Sequence, residues 1–175
     1  SDTAGLIYTM VGDEVVVLDP STNVLHTTGE TVQLPGTEAF ELQPAGPEND
    51  VVVLASPSEL FYVSLDDGEI ATTQSVATGE PVQPLFFQGC VYAAWMGSGV
   101  YLRDCPSTED DVSVTVDSIA SSESMAFRTN RDVIVLNDMF TGLVILVNDD
   151  MIEVDDWTQV QASMEADDQQ SEEES

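Results

Sequence analysis

The feature that most constrains this chain is a recurring pair of short apolar runs joined by turn residues. LIYTM at 6–10, VVVLD at 15–19, VVVLA at 51–55, LFYVSL at 60–65, VYAAW at 91–95, VYLRD at 100–104, VIVLN at 133–137 and LVILVN at 143–148 are rich in β-branched and aromatic residues. Gly, Pro, Asn or Asp separates them, the pattern of strands joined by tight turns. No stretch of 12 or more residues places apolar side chains at i, i+3, i+4 and i+7, so a helical architecture is excluded. The chain reads as all-β.

The runs repeat as a unit in which an apolar strand meets a short turn and a second strand ends in acidic residues. DVVVLASPSELFYVSLDDGEI at 50–70, CVYAAWMGSGVYLRDC at 90–105 and DVIVLNDMFTGLVILVNDDMIEV at 132–154 share the plan, and LIYTMVGDEVVVLDPSTNVLH at 6–26 is a fourth copy. With Leu18, Leu65, Leu102 and Val147 as landmarks, the spacings are 47, 37 and 45 residues. A period of roughly 40–45 residues suits a four-stranded propeller blade. Leading strands are expected at 39–43, 84–88 and 124–129, and trailing strands at 70–77, 112–118 and 151–157; the first copy lacks a leading strand. VSVTV within 112–118 alternates as a half-exposed outer strand should, whereas the central runs are near-continuously apolar. The expectation is a β-propeller-type array of about four four-stranded blades over residues 1–158, followed by a disordered acidic tail or linker over 159–175. The array is either a four-bladed propeller or part of a larger one, and its abrupt opening favours the part. A β-sandwich is the competing architecture, but it leaves the blade-length repeats unexplained.

Charge narrows the function. The chain has 33 acidic residues against 3 basic ones and no lysine, for a net charge of −30, while 42% of its 175 residues are hydrophobic. The apolar content supplies a core and argues against global disorder. Nucleic-acid binding is excluded as an expectation, because neutralising phosphates needs many Lys and Arg side chains. Direct contact with an anionic membrane is disfavoured on the same ground. Residues 149–175 carry 11 of the 33 acids, and from Gln161 onward the chain has no apolar period, hence the tail or linker reading. No run approaches the ~20 apolar residues of a membrane-spanning helix.

Cys90 and Cys105 are the most informative side chains. They bracket a hairpin centred on Gly97 and Ser98, and a two-residue loop there makes the pairing rule i + j = 195. The two cysteines then face each other within reach of a disulfide, which implies an oxidising, extracytoplasmic compartment. Counting outward from such a loop makes them a hydrogen-bonded pair, the wider type. Two reduced core thiols are the alternative. A zinc site is disfavoured, since His26 is the single histidine and no CxxC occurs. No metal, cofactor or catalytic residue is expected. His26 has no triad partner by spacing. The acid pairs Asp66-Asp67, Asp110-Asp111, Asp149-Asp150 and Asp155-Asp156 read as solvated turn or tail residues, without the DxDxDG pattern of a calcium loop. Trp95, Tyr92 and Tyr101, with Phe86 and Phe87, cluster in one blade. They are either an aromatic binding surface for a sugar or peptide, or packing between blades. Arg103, Arg128 and Arg131 are expected to pair with carboxylates.

The segment QGCVYAAWMGSGVYLRDC at 88–105 resembles part of large actinobacterial cell-surface proteins. FRTNRDVIVLNDMFTGLVILVNDDMIEVDDW at 127–157, with the acidic run after it, resembles them too. Those proteins carry an N-terminal β-propeller-like region, an acidic linker and immunoglobulin-like or fibronectin type III repeats. The likeness covers residues 82–175 by motif, including Cys90, Cys105 and Asp155-Asp156-Trp157, and the earlier blades by pattern only. It implies an extracellular, envelope-associated protein with a membrane anchor upstream and repeat domains downstream.

The expected function is therefore a non-enzymatic scaffold or adhesion-type binding platform of a cell envelope, with a protein or a cell-wall glycan as partner. The alternatives are a carbohydrate-active propeller enzyme, since propellers house many chemistries, and a sensor of small ligands or peptides.

Overall fold

The computed structural model describes residues 5–73, 78–147 and 152–154. They fall into two compact units, Ser1–Ser121 and Ser122–Ser175. The expected tail at 159–175, Asp149-Asp150 and the Asp155-Asp156-Trp157 element lie outside the described residues.

The first unit contains three antiparallel sheets, each following the chain as a meander. Sheet one is β1 (Ile7–Val11), β2 (Glu14–Asp19), β3 (Val24–His26) and β4 (Thr31–Gln33). Sheet two is β5 (Glu41–Leu42), β6 (Val51–Ala55), β7 (Leu60–Ser64) and β8 (Ile70–Thr72). Sheet three has β9 (Glu80–Pro81), β10 (Leu85–Phe87), β11 (Cys90–Met96), β12 (Val100–Asp104) and β13 (Val112–Thr115), with β9 pairing β11 beside the main path. A four-residue helix, α1 (Asp117–Ala120), follows and buries Ile119. The second unit contains one sheet, β14 (Met125–Asn130), β15 (Val133–Asp138), β16 (Val144–Leu146) and β17 (Ile152–Val154).

The all-β reading is therefore observed, and three of the four sheets have the expected four strands while sheet three has five. LIYTM pairs with VVVLD as the first and second strands of a complete sheet, so the first copy has its leading strand. Leu18 lies on a second strand, whereas Leu102 lies on a third and Leu65 and Val147 directly follow third strands. Strands β3 and β4 have three residues each and β9 has two, too few to show a period between their turns. The trailing strand expected to reach residue 118 stops at Thr115, because Asp117 and Ser118 are poor strand formers and open α1 instead.

Burial follows the apolar pattern. β6 and β11 are buried along nearly their whole length, as strands covered on both faces must be. The outer strands β8 and β13 are mostly exposed. One core lies between sheets one and two, with Val16, Leu18, Leu25 and Val32 against Leu42, Val52, Leu54, Phe61 and Val63. Phe40 meets Phe61 edge-on there, with ring centroids 5.1 Å apart, a geometry worth about 0.5–1.5 kcal/mol beyond area burial. A second core joins sheets two and three through Val53, Ala55 and Leu60 against Val91, Ala93 and Trp95. In the second unit Val135 and Val144 pack together, and Ile134, Leu136, Ile145 and Val147 are buried as well.

Candidate functional site: the cavity beside Gly12

The β1–β2 hairpin turns through Gly12 and Asp13. Gly12 sits at φ +59°, the left-handed region that a tight hairpin turn requires at its first position. The loop after β5 lies against this turn. Gly12 N–H donates to the Gly46 carbonyl (2.9 Å), and Gly46 N–H donates to the Met10 carbonyl (3.0 Å). Buried Gln43 anchors the start of that loop, its Oε1 accepting from Val53 N–H at 2.8 Å. Glu48 is thereby brought so close that a Cβ on residue 12 would meet the Glu48 Cα and Cβ at 3.0 Å.

A cavity of about 580 Å³ opens here, lined by Val11, Gly12, Asp13, Glu14, Thr28, Glu48 and Asn49. Its size lies within the range of small-ligand sites. Three carboxylates, an amide and a hydroxyl make it rich in hydrogen-bond acceptors, matched to ligands that present donors. Among the described residues, no three metal-ligating side chains are grouped to hold an ion. Sequence patterning did not single out this site. Gly12-Asp13 is visible as a turn, but Glu48 reaches it only through the fold. A Gly12→Val substitution is expected to destabilise the first unit by about 1–2 kcal/mol from backbone strain alone, with the Glu48 clash added. Urea midpoints of the two proteins check this, and an unchanged midpoint would show that the loop is not seated on the turn.

Cys90 and Cys105 form a disulfide. The register of β11 and β12 pairs Val91 with Asp104 and Trp95 with Val100, as the i + j = 195 rule requires. The turn differs from the expected two-residue loop. Met96 and Gly99 are unpaired across it, and Gly99 N–H donates to the Trp95 carbonyl at 2.9 Å. The Cys90–Cys105 Cα separation is 4.2 Å, that of the closer, non-hydrogen-bonded pair type rather than the wider one. Cys105 N–H donates to Asp111 Oδ1 at 2.7 Å, so Asp111 braces the disulfide as well as standing in a turn.

Trp95, Tyr92 and Tyr101 are 0%, 7% and 1% exposed. The aromatic binding surface is thus corrected to interior packing: central strands covered on both faces leave these rings no open side. Trp95 Nε1 donates to the Ser56 carbonyl at 2.7 Å, tying sheet three to sheet two. Tyr62 of sheet two donates its hydroxyl to Asp104, and burial first, then this bond, pushes the Tyr62 phenol up. Burial also raises Tyr101 and Tyr92. Phe86 is half-buried against the second core. His26 is exposed on β3. Asp66 and Asp67 sit in an exposed turn, where Asp67 Oδ1 accepts from Glu69 N–H. Arg103 Nε donates to the Asp110 main-chain carbonyl at 2.8 Å.

In the second unit, Asp138 is a buried carboxylate that the sequence reading did not single out. It accepts from Ser122 Oγ (2.8 Å), Phe140 N–H (2.9 Å) and Thr141 N–H (3.0 Å). Burial alone would raise its pKa; these hydrogen bonds outweigh it and hold the group below its ordinary value of 3.8. A depressed folded pKa contributes stability that is present above the unfolded value and lost as pH falls through the folded one. Protection of the Phe140 and Thr141 amides from hydrogen exchange is thus expected to hold at pH 5 and above and to decline below about pH 4. Protection independent of pH down to 2 would contradict this account.

No family model and no curated protein matches the chain. Solved structures do. A catalytically inactive virginiamycin B lyase from Staphylococcus aureus, crystallised with quinupristin, aligns with a TM-score of 0.63 at 13% identity over 87% of this chain and 56% of its own. A glutaminyl cyclase from Myxococcus xanthus aligns with a TM-score of 0.43 at 11% identity, over 89% of this chain and 72% of its own. The chain thus spans little more than half of the lyase. The likeness to the lyase supports a propeller-like all-β fold. It also corrects the expectation of a non-enzymatic protein: an enzyme has a similar fold, so the fold gives no ground for excluding catalysis. No helix among the described residues is long and apolar enough to cross a membrane. The disulfide is consistent with an extracellular protein. By fold this chain is similar to propeller-like proteins, and its own disulfide suits an oxidising compartment.

Proposed function

We propose that the four sheets are successive blades of a propeller-type module in a bacterial cell-envelope protein. The module serves as an adhesion-type binding platform for cell-wall glycan, contacted at the cavity beside Gly12. The observation that carries this reading is the acceptor lining of that cavity, with Asp13, Glu14, Glu48 and Asn49 around one opening. Sugar hydroxyls are donors in number, and carboxylates and amides are strong acceptors for them. The disulfide supports an external location. The net charge of −30 keeps the chain soluble. An upstream anchor and downstream immunoglobulin-like or fibronectin type III repeats complete the proposal, and the gene sequence on either side tests that part.

Calorimetric titration with soluble cell-wall glycan fragments tests the binding part. Saturable binding is expected, with Glu48→Gln and Asp13→Asn each weakening it by roughly 10-fold, about 1.4 kcal/mol. No heat with any fragment, alongside salt-sensitive binding of a basic protein, would replace the glycan with a protein partner. A second reading rests on the same cavity. Paired carboxylates are the residue type of glycoside hydrolysis, and release of reducing sugar during the titration would make the chain an enzyme acting on the glycan it binds.

A further inference from the structure

Sheet one has a second face. Residues directly opposite one another on antiparallel strands share a face, and β1 pairs Tyr8 with Val17 and Met10 with Val15. β2 then pairs Val17 with His26 and Asp19 with Val24. The other face of the same strands, through Val11, Val16, Leu18, Leu25 and Val32, packs on sheet two. On the outward face Tyr8, Met10 and Val15 are 64%, 40% and 49% exposed. Of the paired positions on that face, Asp19 at its edge is the one acidic residue. His26, Thr31 and Gln33 make its β3–β4 side polar, but on the β1–β2 side Tyr8, Met10, Val15 and Val17 stand together without an acid. In a chain with 33 acidic residues such an apolar patch is suited to burial.

We infer that this face is the docking surface for a further antiparallel sheet of the same protein, beyond the four in this chain, packed as sheet one packs on sheet two. The inference deepens the blade reading proposed above and rests on it. Three observations select this occupant. Sheet two already shows the packing: one face meets sheet one and the other meets sheet three, both through Val, Leu and aromatic side chains. The propeller-like lyase extends well beyond the part this chain matches, which is 56% of its length, so the fold accommodates further sheets. A second copy of this chain is a poor occupant, because it would bring another net charge of −30 into contact, and like charges repel at close range.

Methionine oxidation by dilute peroxide, mapped by mass spectrometry, tests the inference. Met10 reports the face, exposed Met139 is the reactive control, and buried Met96 and Met125 are the protected controls. The 175-residue chain, monomeric by sedimentation, is expected to oxidise at Met10 about as fast as at Met139. In the protein purified from its natural source, Met10 is expected to react at least about 10-fold more slowly, while Met139 is unchanged. Equal Met10 reactivity in both samples would overturn the docking inference and leave the blades intact. Protection of Met10 in the monomeric 175-residue chain would overturn it too, since the chain would then cover the face itself. Protection that appears only as the 175-residue chain dimerises would overturn it in favour of a second copy. Rapid oxidation of Met96 and Met125 would instead overturn the blade reading, because those side chains are buried within the sheets.

Discussion

Replacing Trp95 with alanine is expected to be the most damaging single substitution in the first unit, costing about 3–5 kcal/mol. Trp95 is completely buried on β11 and stands in the core between sheets two and three with Val53, Ala55, Leu60, Val91 and Ala93. Truncation leaves a large cavity that those aliphatic neighbours are too small to fill. It also strips the Ser56 carbonyl of the indole donor held at 2.7 Å, and a buried acceptor left unpaired costs about 1–3 kcal/mol. Trp95→Phe separates the two contributions: it keeps most of the apolar volume and loses the donor, so its loss should lie clearly below that of alanine. Urea unfolding followed by circular dichroism measures both. An alanine loss below about 1 kcal/mol would show that sheet three is not packed on sheet two as described.

Removing the disulfide is the second large effect. Cys90 and Cys105 are 15 residues apart, and a loop of that length corresponds to about 3 kcal/mol in the chain-entropy account. The bond closes the β11–β12 hairpin at the end opposite its turn. The same hairpin carries two ties to sheet two, Trp95 to Ser56 near the turn and Tyr62 to Asp104 beside Cys105. A Cys90→Ala, Cys105→Ala double variant is therefore expected to unfold at lower urea concentration by the equivalent of about 2–3 kcal/mol. Loosening should be greatest around Asp104 and Asp111. Thiol titration of denatured, unreduced wild-type protein should detect no free thiol from this pair. Two reactive thiols would remove both the cross-link and the argument for an oxidising compartment.

The aromatic residues show where one sequence leaves two outcomes open. Trp95, Tyr92 and Tyr101 are as suitable for a sugar-binding platform as for a core, because the same ring surface serves both. Position along a strand does not tell which faces have neighbours. The structure covers both faces of β11, and the rings go inside. The Gly12 cavity shows the reverse case. Its parts are ordinary in sequence: a turn glycine, two acids after it, and Glu48 and Asn49 some 35 residues on. Only the seating of the Gly46 loop on the hairpin, through two backbone hydrogen bonds, brings them to one opening. Part of sheet one is also illegible in sequence, because strands of three residues such as β3 and β4 carry too little periodic signal to separate from loops.

By itself the sequence determined the local terms: extended backbone, the meander of short strands, the hairpin register that places Cys90 opposite Cys105, and an acidic exterior. Each depends on residues a few positions apart, through the period-two alternation of strands and the conformational demands of turns. Tertiary structure alone decided which sheet faces are covered. That choice buried the tryptophan, built the acidic cavity and left the outer face of β1 and β2 open. Burial of a sheet face is a contact between segments far apart in sequence, and no local pattern encodes its partner.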